Sequence, residues 1–515
     1  MLQKLDNLSY TKGFILAFTI GFVVRLIPEL LSFPYPIGWD TIYYAYRISD
    51  GVVWSHWSNI FTSWLIYGIL VSLGNLTQLE PFLLLKIVAP LLYGGTAAGI
   101  YYVAWKKLGW SVAKSLLACG FFAFQLAALG ISWHFYRNIF GLMILLFAIP
   151  LLKGDLGWKE AALLSVLSLF VVWGHQLAAV SLFAMTLGLL AVSVFKKEKI
   201  PYRLFVAIVP ALTVFLINIL RIFPSPVSIE TNILQIADSV TAYSGGLFFL
   251  TDYLNVFNPV EHYASYFELF SHVISLFVLL YVVLLPLIGV GYFKDRVISS
   301  WMALLLVGSF GCLIMPFAAL LLWNRWMLML IFPFTFFAAN GLWKLSKCGQ
   351  AFSVSRFLGW FKLTKKFGIA LSLLSIVIGA LFMTWPLIDG KYGIIGVETT
   401  FKYVPSTMQT SSVPLLDTEG TIQSFEWLNE HMTSNSSVLV HDVFQFWSQL
   451  YLDENHTAVF FNSDLQKASQ FALENGFTTS YLVWWNEDIG WYGLTLSNQY
   501  ISVFDSGRIS VFQLA

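Results

Sequence analysis

Long apolar runs alternate with short polar turns over the first three quarters of the chain. They lie at about 13–33, 81–105, 111–131, 138–152, 160–175, 177–195, 203–223, 268–292, 299–322, 325–344 and 367–388. A bilayer's hydrocarbon core takes about 20 apolar residues in a helix, so the pattern predicts about eleven spans; 138–152 and 160–175 are the shortest. From residue 389 the pattern changes. Thr421–Met432 and Leu465–Asn475 read as amphipathic helices and Val443–Leu452 as a further helix. Ser437–His441, Ala458–Phe461 and Tyr481–Trp485 read as strands, and Tyr500–Phe504 with Arg508–Phe512 as a hairpin around Asp505-Ser506-Gly507. Strands alternating with helices imply a small α/β layer. The expected architecture is a mainly α polytopic membrane protein with a small extracytoplasmic α/β domain at its C-terminus. The boundary falls between 1–388 and 389–515.

Composition agrees. The chain is 58% hydrophobic and only 11% charged, against about 25% charged in a soluble protein. A net charge of +1 gives no reason to expect a nucleic-acid partner. The three cysteines, Cys119, Cys312 and Cys348, read as unpaired thiols filling space rather than a disulfide framework. No small-residue cleavage site follows the first run, so it reads as a retained anchor. No internal repeat of transporter type is visible.

Charge placement orients the chain. With the N-terminus cytoplasmic, most of the 29 Lys and Arg fall in inside loops, as the positive-inside bias requires. The C-terminal domain then lies outside the cell membrane, where the sequons at Asn435 and Asn455 are compatible with it. Arg47, Arg137, Arg221 and Arg325 go against the bias, at outer helix ends. Arg suits phosphate because its planar fork donates several hydrogen bonds and keeps its charge; the competing readings are snorkelling and pairing with a neighbouring acid.

The outer regions hold the candidate chemistry. The first outer loop, 34–80, carries Asp40 just beyond the first span, within Gly38-Trp39-Asp40-Thr41-Ile42-Tyr43-Tyr44. It also carries Trp54–Trp57 and Phe61–Leu65, which read as short interfacial helices. Asp40 reads as a reacting carboxylate or as the cap of the helix that follows it. The turn Trp133–Asn138 contributes His134 and Arg137, and His175 stands at another outer turn. The loop 224–267 holds Glu261 and His262, too few residues for a metal site. Arg25 and Glu29, four apart in the first span, are placed to satisfy each other. Trp484 and Trp485 read as core or docking residues rather than a sugar groove.

Together these features resemble the GT-C superfamily of membrane glycosyltransferases, which includes protein O-mannosyltransferases, the aminoarabinose transferase of lipid A and oligosaccharyltransferase catalytic subunits. The motif around Asp40 is similar to the family's acidic residue followed by Tyr. Asn324-Arg325-Trp326 before Pro333 resembles its Arg-bearing late span, and Val503–Gly507 with Val511-Phe512 looks like the terminal hairpin of archaeal members. The resemblance implies an inverting transferase that takes a sugar from a polyprenyl- or dolichyl-phosphate carrier to a glycan, lipid or protein acceptor. Asp40 would be the general base. Arg137 and Arg325 would hold phosphate, with Arg221, His134 and His175 as further candidates. Trp39, Tyr43 and Tyr44 would shape the sugar site, and Glu261 and His262 count among the substrate-binding candidates.

Oligosaccharyltransferase is the nearest competing identity. Its Trp-Trp-Asp-Tyr-Gly signature is not matched, because Asn486-Glu487-Asp488 follows Trp484-Trp485. The second outer loop has no acid, so no metal or other cofactor is expected. A lipid or glycan flippase is the alternative outside enzymes. It would place charged or broken segments at mid-membrane, and only Arg25 with Glu29 fits that.

Overall fold

A computed structural model of the chain describes residues 5–51, 53, 57–199, 201–220, 222, 233–235, 266–314, 322–347, 352–353, 362–384, 408, 411–461, 464–486, 496 and 500–514. The sequence candidates Arg221, Glu261 and His262 lie outside them, as does most of the loop 224–267.

Seven helices among the described residues are long and apolar enough to cross a membrane, and two bent pairs raise the number to nine. The chain is therefore a multi-pass membrane protein. The eleven predicted segments are not all reached. The run 138–152 forms a shorter helix, Tyr136–Ala148, with a 3-10 turn after it, and 160–175 forms the 17-residue helix Trp158–Gly174.

In chain order the elements that frame the site are α1 (Tyr10–Leu31), α2 (Thr41–Asp50), α3 (Leu65–Thr77), α4 (Pro81–Tyr102), α5 (Val112–Ala123), α6 (Leu126–His134), α7 (Tyr136–Ala148), α8 (Trp158–Gly174) and α9 (Gln176–Phe195). The described residues of the first loop include the helices α2 and α3. There a 3-10 turn spans Trp57–Phe61, and Trp54 and His56 fall outside the described residues.

The bends are built into the bundle. Predicted as one span, 111–131 bends by 61° between α5 and α6, and 268–292 bends by 72° between Phe267–Tyr281 and Leu285–Gly291. A broken helix in lipid must have its freed backbone groups satisfied by the protein. Gln125 does this at the first break: its Oε1 accepts from the Ala127 N–H (2.6 Å) and its Nε2 donates to the Leu280 carbonyl (2.6 Å) at the second. Tyr93 donates its hydroxyl to the Ala123 carbonyl (3.0 Å). Tyr281 donates to the Met327 carbonyl (2.7 Å), just before Leu330 interrupts Trp323–Lys347. That helix is the most enclosed of the spans, whereas Tyr202–Ile219 and Lys365–Met383 keep most of their surface outward. Many of their exposed side chains are large and apolar, among them Phe205, Leu373 and Val377, a surface suited to lipid.

The C-terminal sheet is close to its sequence reading. Its strands are β1 (Ile233–Gln235), β2 (Ser436–His441), β3 (Thr457–Phe461), β4 (Thr479–Trp485), β5 (Tyr500–Ser506) and β6 (Ile509–Leu514). The order is β1-β3-β2-β4-β6-β5: the first four are parallel, and β6 and β5 add an antiparallel edge. β1 was not anticipated. It comes from the loop 224–267, so that loop is tied to the domain through strand pairing. Trp484 and Trp485 are buried in the core, and the Trp485 indole donates to Asp417 Oδ2 (2.9 Å).

The domain docks on the first loop. Phe446, at the start of the helix Gln445–Tyr451, lies 4.8 Å from the Tyr43 ring and 6.5 Å from Tyr46. Trp447 and Tyr451 pack against Phe82, and the Tyr35 hydroxyl donates to Glu419. The domain thus covers the end of the bundle that carries Asp40.

Candidate functional site

Asp40 is placed by the turn before it. Gly38 has φ +130°, and a Cβ there would fall 1.5 Å from the Trp133 carbonyl oxygen. Only glycine permits both that conformation and that approach. The Gly38 carbonyl accepts from the Thr41 hydroxyl (2.7 Å) and starts α2, which stops at Gly51 in the left-handed conformation. Asp40 occupies the N-cap position, yet its side chain makes no capping hydrogen bond. Capping therefore does not occupy the carboxylate.

It faces His134 instead: Oδ2 lies 3.0 Å from His134 Nε2. Asp40 keeps about a third of its side chain exposed, while His134 is 4% exposed. His134 ends α6, and its Nδ1 is buried without a hydrogen-bond partner. The expected role for His134 was phosphate; the structure puts it on the carboxylate.

A wall of tyrosines adjoins this pair. The Arg137 N–H donates to the Tyr44 hydroxyl (3.1 Å), and the Arg137 guanidinium lies over the Tyr67 ring at 5.4 Å. Tyr44 stacks on Tyr67 (5.5 Å) and meets Tyr136 (5.0 Å), and Tyr43 meets Tyr67 edge-on. Burial raises the Tyr44 phenol's pKa; the nearby Asp40 charge adds to the rise and Arg137 opposes it. The Nε of Arg137 has no hydrogen-bond partner among the described residues.

Arg325 enters from the helix Trp323–Met329, its guanidinium 4.4 Å from the centre of the Phe135 ring. Phe135 in turn contacts His134 edge-on at 4.2 Å. His175 sits in the turn between α8 and α9, buried, with Nδ1 accepting from the Leu177 N–H (3.1 Å). That bond leaves any ring proton on Nε2. The fields of both Arg137 and Arg325 reach this imidazole. Five sequence candidates therefore gather in one neighbourhood: Asp40, His134, Arg137, Arg325 and His175. Trp39 is half-buried beside Asp40. Tyr43 forms part of the wall but spends one face on Phe446. Arg47 also reaches the wall, its guanidinium 5.8 Å from the Tyr67 ring, but it is ion-paired with Asp50 at 3.3 Å. Tyr67, Tyr136 and Phe135 were missed, since apolar helices give no local sign of which aromatics share a pocket.

Among the described residues no three His, Cys, Asp or Glu side chains group to hold a metal ion. Cys119 and Cys312 are buried.

No protein-family profile matches the chain, and no curated protein matches it by sequence. Among solved structures it is similar to ArnT from Cupriavidus metallidurans bound to undecaprenyl phosphate, at 13% identity and a TM-score of 0.46. That match covers 97% of this chain and 98% of ArnT. It is also similar to the arabinofuranosyltransferase AftD from Mycobacteria, at 11% identity and a TM-score of 0.45, over 96% of this chain and 40% of AftD. At these values neither likeness carries an assignment.

Proposed function

We propose that this chain is a membrane glycosyltransferase of GT-C type. It moves a sugar from a polyprenyl- or dolichyl-phosphate carrier to an acceptor hydroxyl on the extracytoplasmic face. The N-terminus is cytoplasmic, and the domain-bearing end of the bundle is the external one. The observation that carries the reading is the Asp40–His134 contact at 3.0 Å, set beside two guanidiniums at one end of a membrane bundle.

The chemistry follows from these groups. Asp40 takes the proton from the acceptor hydroxyl. The acceptor oxygen forms a bond to the sugar's anomeric carbon while the bond from that carbon to the carrier phosphate breaks, with inversion. His134 holds the carboxylate in place. The departing lipid phosphate gains negative charge, which Arg137 and Arg325 stabilise. His175 and the Tyr67 hydroxyl supply further donors to phosphate or sugar. The tyrosine wall and Trp39 shape the sugar site, and grooves between spans take the prenyl tail. The step uses no cofactor.

The test is mass spectrometry of lipid-linked and surface glycans from cells lacking the protein. The reading expects a sugar-loaded prenyl phosphate to accumulate and one sugar to be missing from a surface glycan. Restoring the wild-type gene, but not an Asp40→Asn variant expressed at the same level, reverses both. Unchanged glycans in the deletion strain sink the reading. Carrier accumulation on the cytoplasmic side alone would favour the flippase alternative.

A further inference from the structure

A second ionic cluster lies beneath the site, and it is closed. Glu29 of α1 is 1% exposed and pairs with Arg25 (2.6 Å) and with Lys86 of α4 (3.3 Å). Two cations on one carboxylate leave a buried net positive charge, an arrangement a membrane fold disfavours unless its hydrogen bonds are well used. They are used on the backbone of the two segments that form the site. Arg25 donates from Nη2 to the Ile37 carbonyl (3.5 Å) and from Nε and Nη2 to the Ser132 carbonyl (3.4 and 3.3 Å). Lys86 donates to the Ser32 hydroxyl (3.1 Å) and to the Tyr35 carbonyl. Ile37 stands three residues before Asp40 and Ser132 two before His134. Between the two carbonyls the Gly38 backbone rests on the Trp133 carbonyl.

We propose that Arg25, held by Glu29 and seconded by Lys86, is a positioning residue: its single guanidinium clamps the Asp40 turn to the end of α6 and so sets the Asp40–His134 contact. The inference rests on the reading of Asp40 as base. A planar fork can bond two carbonyls on different segments at once, which a Lys ammonium on a flexible stem does poorly. The cluster touches no reacting group, so its effect is on geometry. Displacing a reacting group by about 1 Å costs on the order of 100-fold in rate.

Two variants test it in lipid nanodiscs. Arg25→Lys keeps every charge and the pair with Glu29. The triple variant Arg25→Met, Glu29→Gln, Lys86→Met removes all three charges together, a replacement that buried ion clusters tolerate. For each, hydrogen–deuterium exchange is followed in peptides covering 35–41 and 132–135. Transfer is followed with the donor that the deletion strain accumulates. The clamp predicts faster exchange in both peptides, a kcat lowered at least about tenfold and a donor KM within about threefold of wild type. Unchanged exchange, or a kcat within about twofold of wild type in the folded variants, overturns it; a triple variant that fails to fold leaves Arg25→Lys to decide on the same readings. If Asp40→Asn leaves transfer intact, the general-base reading falls, while exchange in Arg25→Lys still decides whether Arg25 clamps the two segments.

Discussion

Two ionic clusters sit at the same end of α1, and they differ in saturation. In the lower one Arg25, Glu29 and Lys86 are nearly fully buried, ion-paired with one another and hydrogen-bonded to backbone carbonyls. In the upper one Asp40 remains a third exposed, and His134 Nδ1 and Arg137 Nε have no hydrogen-bond partner among the described residues. A closed cluster has nothing left to offer a substrate. An open one holds polar groups at a cost to the fold, since an unmade buried hydrogen bond costs about 1–3 kcal/mol. Charge in a membrane protein therefore does not mark a reacting site by itself.

The contrast can be broken from either side. The largest effect is expected for Asp40→Asn, which keeps the shape and removes the proposed base. Transfer should fall by roughly 10²–10⁴-fold with the melting temperature little changed, measured as sugar release from the carrier by purified protein. A loss of stability equal to that of a lower-cluster variant would erase the distinction. Glu29→Gln should do the reverse. It leaves Arg25 and Lys86 buried against a neutral side chain, a change worth about 3–5 kcal/mol of destabilisation, read as a lower thermal midpoint in detergent or nanodiscs. Arg137→Met should weaken binding of undecaprenyl phosphate by about ten- to a hundredfold, from the loss of about 1.5–3 kcal/mol of hydrogen bonding to a charged group; calorimetry on nanodisc-held protein measures it. Equal affinity would remove Arg137 from the phosphate role.

The smallest effect belongs to the C-terminal hairpin, where the Ser510 and Ser502 hydroxyls donate to Asp505 and lower its pKa. A lowered carboxylate pKa adds stability above the unfolded value, near 3.9, and that stability fades as pH falls through the folded value. Asp505→Asn should flatten this slight acid dependence in thermal melts below about pH 4, and leave transfer untouched.

Much of the scaffold was legible because its signals are local. The helix Thr418–His431, the strands at 436–441, 457–461 and 479–485 and the hairpin around Gly507 lie within a few residues of their predicted bounds. The runs of α1, α4 and α9 were plain from length and composition alone. The helix breaks were not, because Gln125 and Tyr281 act on carbonyls far away in sequence. Nor was the division of labour among the arginines: Arg47 and Arg137 both lie over the Tyr67 ring, yet only Arg47 is also paired with Asp50.

By itself the sequence determined that the chain crosses a membrane several times, where the sheet forms, and that Asp40 stands just past the first long apolar helix. Hydrophobic periodicity and turn chemistry act over a few residues and are written there directly. Tertiary structure alone decided that Asp40 meets His134 rather than capping its own helix, and that Arg25 spends itself on Ile37 and Ser132. A carboxylate's partner is chosen by distance in space, and here that partner lies far along the chain, brought near by how α1, α4 and α6 pack.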